Sequence, residues 1–428
     1  MPSSNASADR TLAVATQGYE FIGRLCDQRR SDVVQTRLVL RRTVVMRGAE
    51  AARLFYDDRL FRRHGAMPLR VRRTLLGQGG VQGLDGDQHR GRKAMFLDLL
   101  GPGATQEVVS LFLAHWRDRL PRWESAEQVV LMREMGEVLC AAVSEWAGLP
   151  VTGAALTRRT QDLEALIDSA GRVGPGYWRG VLARRHAERR LGRLVQGVRD
   201  QTAPTSSEVL ERLAAHRDEP DGAPLPPRVA AVELLNLLRP VVAIERYITF
   251  AALALHENPA WRERLRGGTD HDRERFVQEV RRRYPFFPAV AAVTDAPVTL
   301  AGQDIPHRCR VVLDLYGTDR DPRTYPHPER FDPDRFEAMP GEFAFIPQGG
   351  GDPALGHRCP GEPLTVDVMK AAVGMLVDEL DYEVPPQDLR VSTRRMPTGP
   401  ASGFLITRVR SRGRDTRPQG GGTSPHDV

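Results

Sequence analysis

Lysine is nearly absent from this chain. Lys93 and Lys370 are the only two among 61 basic residues, so its cationic side chains are almost all arginine. The net charge of +6 comes with 55 interleaved acids and no nucleic-acid-binding motif, which argues against a nucleic-acid partner. Cysteine is also scarce. Cys26, Cys140, Cys309 and Cys359 stand far apart without pattern, which fits a reducing compartment better than a disulfide framework. The Cys-x-x-Cys and His-Glu-x-x-His spacings that hold zinc are missing. No apolar run reaches the ~18 residues needed to cross a bilayer. Met1-Pro2-Ser3-Ser4-Asn5 has neither a basic start nor an apolar stretch, so no signal peptide and a cytoplasmic location are expected. There is no internal repeat and no Pro/Ser-rich linker. Residues 11–410 are therefore expected to form one domain, between disordered ends at 1–10 and 411–428.

The chain does have 41% hydrophobic residues, enough for a sizeable core. They recur mostly at helical spacing, over 12–29, 51–56, 106–123, 131–149, 156–170 and 177–199. Two β-rich runs, 33–40 and 43–46, come early. The expectation is a mainly α fold with small β regions. Segment 203–227, rich in Asp, Glu, Pro and Ser, reads as a surface connection. The glycines of 77–83 superficially suggest a dinucleotide loop, but their spacing is wrong and no strand–turn–helix unit surrounds them.

Two stretches carry chemistry. In the first, Phe345-Ile346-Pro347-Gln348-Gly349-Gly350-Gly351 leads to Gly356-His357-Arg358-Cys359-Pro360-Gly361 and then an apolar helical run. Pro360 suits a first helical position. Cys359 then sits at a helix start, where the dipole favours a thiolate, a good axial ligand for haem iron. A buried structural cysteine beside a turn is the commoner fate of such a residue. In the second stretch, 228–257 reads as one helix of roughly 45 Å, apolar nearly all round and so interior. Its middle holds Arg239 and Pro240. A proline there costs ~3 kcal/mol and an unpaired buried charge several more. Arg239 could be a core arginine paired with an acid such as Glu233, or could snorkel outward. The paired violation points rather to a functional site.

The flanks of Cys359 resemble the haem-binding loop of the cytochrome P450 superfamily, and the lengthened form before the cysteine resembles its bacterial fatty-acid peroxygenase branch. Glu279-Val280-Arg281-Arg282, Tyr284-Pro285-Phe286 and Pro328-Glu329-Arg330-Phe331 extend the likeness, which runs from about 19 to 410. It implies a single-domain cytochrome P450 fold and haem b with Cys359 as thiolate ligand, held in a loop that includes Gly349, His357, Arg358 and Gly361. His89, Arg92 and Lys93 would meet the haem propionates, a use that suits arginine. Glu279, Arg282 and Arg330 would be structural. Where ordinary members keep an acid–alcohol pair, this sequence resembles the peroxygenases in having Arg239-Pro240. That implies hydrogen peroxide as oxidant, no redox partner, and a fatty-acid carboxylate on Arg239 serving as acid–base. Leu76, Ala170, Val173 and Ala289 would line the alkyl path, with smaller residues than the family often has at 76, 170 and 289. Gln82, where alkene-forming members tend to have histidine, implies hydroxylation at the α or β carbon. Decarboxylation to terminal alkenes and reductase-dependent monooxygenation are the alternatives.

Overall fold

The computed structural model, which describes residues 8–203, 207–218 and 222–412, is built around the helix Pro227–Glu257. Every residue from Ala230 to Leu255 except Pro240 is buried, so this central helix runs through the interior as its composition demands. The helices Leu131–Trp146, Gly153–Asp168, Pro175–Arg199, Asp270–Arg283 and Glu362–Gly374 pack against it. The helical core is apolar, with Phe112, Trp116 and Trp123 edge to face beside it.

The β structure is small and lies to one side. A five-stranded sheet has the order Val33–Leu38, Arg41–Met46, Arg310–Asp314, Ala289–Thr294, Phe61–Arg62. The first two strands form an antiparallel hairpin, and Arg310–Asp314 joins the second in parallel. A three-stranded sheet has the order Leu380–Glu383, Leu405–Ser411, Val129–Val130. No helix among the described residues is long and apolar enough to cross a membrane.

Several expected elements differ in the structure. The first helix is broken into Thr11–Gln17 and Phe21–Arg29 at Gly18, whose φ is 60°. A side chain there would collide with the carbonyl of Thr393, which accepts from Tyr19 N at 2.8 Å, so the chain turns where only glycine fits. Segment 203–227 is not only a connection: Glu208–Ala215 is a helix capped by Ser207, burying Val209, Leu210, Leu213 and Ala214. The helix after Cys359 begins at Glu362, with Pro363 rather than Pro360 in its first turn. Of the ends expected to be disordered, 1–7 and 413–428 lie outside the described residues. Asp9 joins the fold, its carboxylate accepting from Thr11 N at 2.9 Å and Leu40 N at 2.6 Å, and the last strand runs through Ser411.

Glu279 and Arg282 form a fully buried bidentate pair, with bonds of 2.7 and 2.8 Å. Arg282 also donates to the carbonyls of Pro328 (2.9 Å) and Asp319 (3.2 Å), tying the Asp270–Arg283 helix to the segment after it. The third member is not Arg330, whose side chain is exposed and which offers only its carbonyl. It is Arg335, whose Nε lies 3.2 Å from Glu279 Oε2. Arg335→Ala should therefore lower stability by about 2 kcal/mol, and Arg330→Ala by less than ~0.5 kcal/mol. Urea unfolding measures both, and equal losses would contradict this assignment.

Candidate active site

Cys359 ends a loop held by its own backbone. Gly349 N donates to Ile346 O at 3.1 Å, and Cys359 N donates to Gln348 O at 3.0 Å. Gly349 has a φ of 97°, and a Cβ there would lie 3.1 Å from the Tyr56 hydroxyl. Gln348 is fixed in turn by Arg281 (3.0 Å) and Thr365 (3.2 Å). Arg358 does not face an open site: its Nε bonds Glu362 at 2.6 Å, and Arg281 pairs with the same carboxylate. Burial, and secondarily Glu362, push the Cys359 thiol up, against the Gly361 amide, Lys93 and Gln348. The expected dipole effect does not win: burial opposes the thiolate first, and Glu362 in the first turn of the helix opposes it next. A thiolate here needs a metal to stabilise it.

Beside the loop is a cluster of basic side chains, His89, His357, Lys93 and Arg63. The rings of His89 and His357 stack with centroids 3.8 Å apart. Burial, reinforced by Lys93 and Arg63, holds His89 down to about 4. His357 is held well below its usual value by burial and then Arg63. Lys93 is lowered to about 8 by burial; its Nζ donates to Gly356 O at 3.0 Å and also to Arg358 O. Arg63 lies over the Phe55 ring at 4.3 Å, and its buried Nη1 has no partner among the described residues. Lys93 and Arg63 form no ion pair among the described residues, and cations so placed in low dielectric favour an anionic ligand. Arg92 does not share this position. It is spoken for by Asp218 (3.0 Å to Nε) and by Glu233, and so is placed away from an open anion site.

On the central helix, Arg239 is buried and has no carboxylate partner among the described residues. Among the described residues its one hydrogen bond is long, 3.5 Å from Nη2 to Asn236 Oδ1, and its Nε has none. Burial and the nearby Arg184 pull it down to about 9. Glu233, the acid that could have paired with it, serves Arg92, the Asn236 amide (2.8 Å) and Val81 N (2.8 Å). Gln82 belongs to the same group, its Oε1 accepting from Asn236 Nδ2 at 3.2 Å. Leu76 and Ala170 pack in one apolar cluster with Leu75, Ile167, Ala243 and Phe286. Ala289 is elsewhere, on a strand against Phe21, Ile22 and Val45, and Val173 is 76% exposed. Neither lies in that cluster: Ala289 begins the strand Ala289–Thr294, and Val173 follows the helical turn that ends at Gly171.

Sequence reasoning missed Arg63, which no local pattern distinguishes from its arginine neighbours. It also missed Asn236, although a polar residue three before Arg239 on an apolar helix shares its face and was a usable signal.

The cytochrome P450 family model matches residues 274–407. The solved structure of Cytochrome P450SP alpha (CYP152B1) in complex with (R)-ibuprophen is 43% identical, covering 94% of this chain and 99% of that one, with a TM-score of 0.91. This chain belongs to the cytochrome P450 family, in its CYP152 branch. Cytochrome P450EX alpha (CYP152N1) with myristic acid is 38% identical, covering 94% and 98% of the two chains, with a TM-score of 0.90. Among curated proteins, Cytochrome P450 4A7 of Oryctolagus cuniculus is 32% identical over 120 residues, which are 27% of this chain and 22% of that protein's length. A haem with a cysteine thiolate on its iron goes with this P450 family. The residues present fit it: a partly buried thiol in a glycine loop, beside basic groups short of anions. Cys359→Ala should lose the red-shifted Soret band of the ferrous–CO form. Arg63→Leu should keep that band but retain less haem per protein on gel filtration. Haem retention equal to wild type would mean that other donors meet the propionates.

Proposed function

We propose that this P450 is a fatty-acid peroxygenase: it uses hydrogen peroxide to hydroxylate fatty acids at the α or β carbon, with the substrate carboxylate on Arg239. The observation that carries this reading is the buried Arg239 guanidinium without a counter-ion among the described residues. A carboxylate supplies the missing partner, with two oxygens for the two faces of the fork. Myristic acid and ibuprophen, the ligands named with the two related structures, are both carboxylic acids.

Held through Cys359, the haem supplies peroxide activation and insertion of one oxygen into a C–H bond. The overall balance is R–H + H2O2 → R–OH + H2O, so no external electrons and no redox partner are required. The chain's own residues do the positioning. Arg239 holds the carboxylate and with it a base in reach of peroxide, where a carboxylate oxygen takes and returns a proton. Leu76, Ala170, Ala243 and Phe286 form a dry wall for the alkyl chain and fix the carbons next to the carboxylate. Asn236, anchored by Glu233, holds Gln82 at the same group. The Gln82 amide has donors and an acceptor but no titratable proton, which favours hydroxylation over loss of the carboxyl group.

Arg239→Leu should cut peroxide-driven fatty-acid hydroxylation by at least ~10-fold, since charged hydrogen bonds contribute ~1.5–3 kcal/mol and the anchor also delivers the base. A short carboxylic acid added with a small uncharged substrate should let the wild type oxidise that substrate. Undiminished activity of Arg239→Leu would refute the mechanism. For Gln82, product analysis decides: hydroxy acids should dominate in the wild type, with terminal alkene rising only in Gln82→His. Alkene as the main wild-type product would overturn the assignment.

A further inference from the structure

The helix Pro175–Arg199 has an outward face that its own fold leaves unpartnered. Trp178, Arg179, Leu182, Arg185, His186, Arg189, Arg190 and Arg193 are all exposed and recur at helical spacing. The five arginines make no ion pair among the described residues. The helix's single acid, Glu188, is buried and bonded to Arg184 at 2.8 Å and Arg228 at 3.2 Å, so it neutralises none of them. In a chain where arginine is elsewhere commonly paired, this is a concentrated positive stripe, with Asp162 of the neighbouring helix sharing the groove of Trp178, Arg179 and His186 at its N-terminal end.

Its N-terminal end is apolar. Trp178 is 56% exposed, Leu182 58% and Val173 76%. Leu69, 42% exposed, joins this corner, because the adjacent Arg70 donates to Arg172 O and lies over the Tyr177 ring at 5.1 Å. A tryptophan and aliphatic side chains in water next to a row of arginines have the composition of an interfacial helix, apolar groups entering the acyl boundary and arginines at the headgroups. Ala170, three residues before Val173, packs with Leu76 in the apolar cluster that includes Ala243, one turn after Arg239 on the central helix.

We propose that this face docks on an anionic lipid bilayer, with Trp178, Leu182 and Val173 inserted and Arg185, Arg189, Arg190 and Arg193 on the headgroups. The inference goes beyond the proposed reaction and rests only on charge and exposure. Docking opens the apolar corner toward the phase in which long-chain acids partition. A nucleic acid would also meet the arginines, but it gives no reason for the aliphatic side chains at the end of the stripe.

The test is flotation of the full-length holoenzyme with two kinds of vesicle, phosphatidylcholine alone and an equal mixture with phosphatidylglycerol. Binding is expected only to the anionic vesicles, weakening as salt rises. Each arginine near such a surface contributes roughly fivefold to binding, so the triple variant Arg185→Gln/Arg189→Gln/Arg193→Gln should bind about a hundredfold more weakly. Trp178→Ser/Leu182→Ser should also release the protein. Both variants alter exposed side chains and should keep the wild-type ferrous–CO spectrum, which separates this result from loss of the fold or of the proposed chemistry. No binding to anionic vesicles, equal binding to both kinds, unchanged binding of the triple variant, or binding to duplex DNA in place of vesicles would each overturn the proposal.

Discussion

A guanidinium in an apolar interior without an anion is the constraint on which the rest of the site depends. Removing one partner from a buried pair typically costs ~3–5 kcal/mol, and Arg239 is held in such a condition by the long helix that carries it. Its surroundings keep it so. Glu233, one turn and a half away, is occupied by Arg92, Asn236 and the Val81 amide. Arg184 adds a second positive charge, and its Nε and Nη1 are taken by Glu188 and the carbonyls of Thr74 and Leu75, while its buried Nη2 has no partner among the described residues. The carboxylates near Arg239 are thus diverted to other arginines. The unmet charge is available for a ligand, and binding an anion there recovers energy that folding left unspent.

The same principle operates on the side of Cys359. His89, His357, Lys93 and Arg63 crowd together, and their proton affinities are all depressed by burial, those of the two histidines also by Lys93 and Arg63. The cysteine thiol is raised by burial, so neither the thiol nor the cations reach a comfortable state alone. A ligand carrying a metal at its centre and carboxylates at its edge relieves both. The Glu279–Arg282 pair, by contrast, is closed: each partner satisfies the other and the neighbouring backbone, and it contributes rigidity rather than binding.

Much of this was legible in the sequence because the relevant signals break local rules. A glycine cluster before a lone cysteine and an Arg-Pro pair in an otherwise apolar helix stand out against their neighbours. The central helix, the hairpin and the break between the helices ending at Asp168 and beginning at Pro175 also follow from periodicity and breakers. The rest depended on tertiary contact. Arg63 is one of several arginines near 60, and only burial beside two imidazoles gives it meaning. Arg330 and Arg335 are five residues apart in similar Pro/Phe settings, and which one meets Glu279 is decided by the path of the turn. The helix Glu208–Ala215 was hidden by polar flanks, although its apolar spacing and the Ser207 cap were present. Ala289 looked equivalent to a pocket residue, but the strand it begins carries it to another cluster, while Phe286 faces Leu76 and Ala170.

The central claim is that Arg239 binds a carboxylate, and equilibrium binding tests it without catalysis. Titration calorimetry of the ferric protein with myristic acid and with the alcohol of the same length compares ligands that differ in the anion alone. The charged hydrogen bonds should make the acid bind roughly 10–150-fold more tightly, and that preference should disappear in Arg239→Leu. Equal affinity for acid and alcohol in the wild type, or a preference that survives the substitution, would contradict the account.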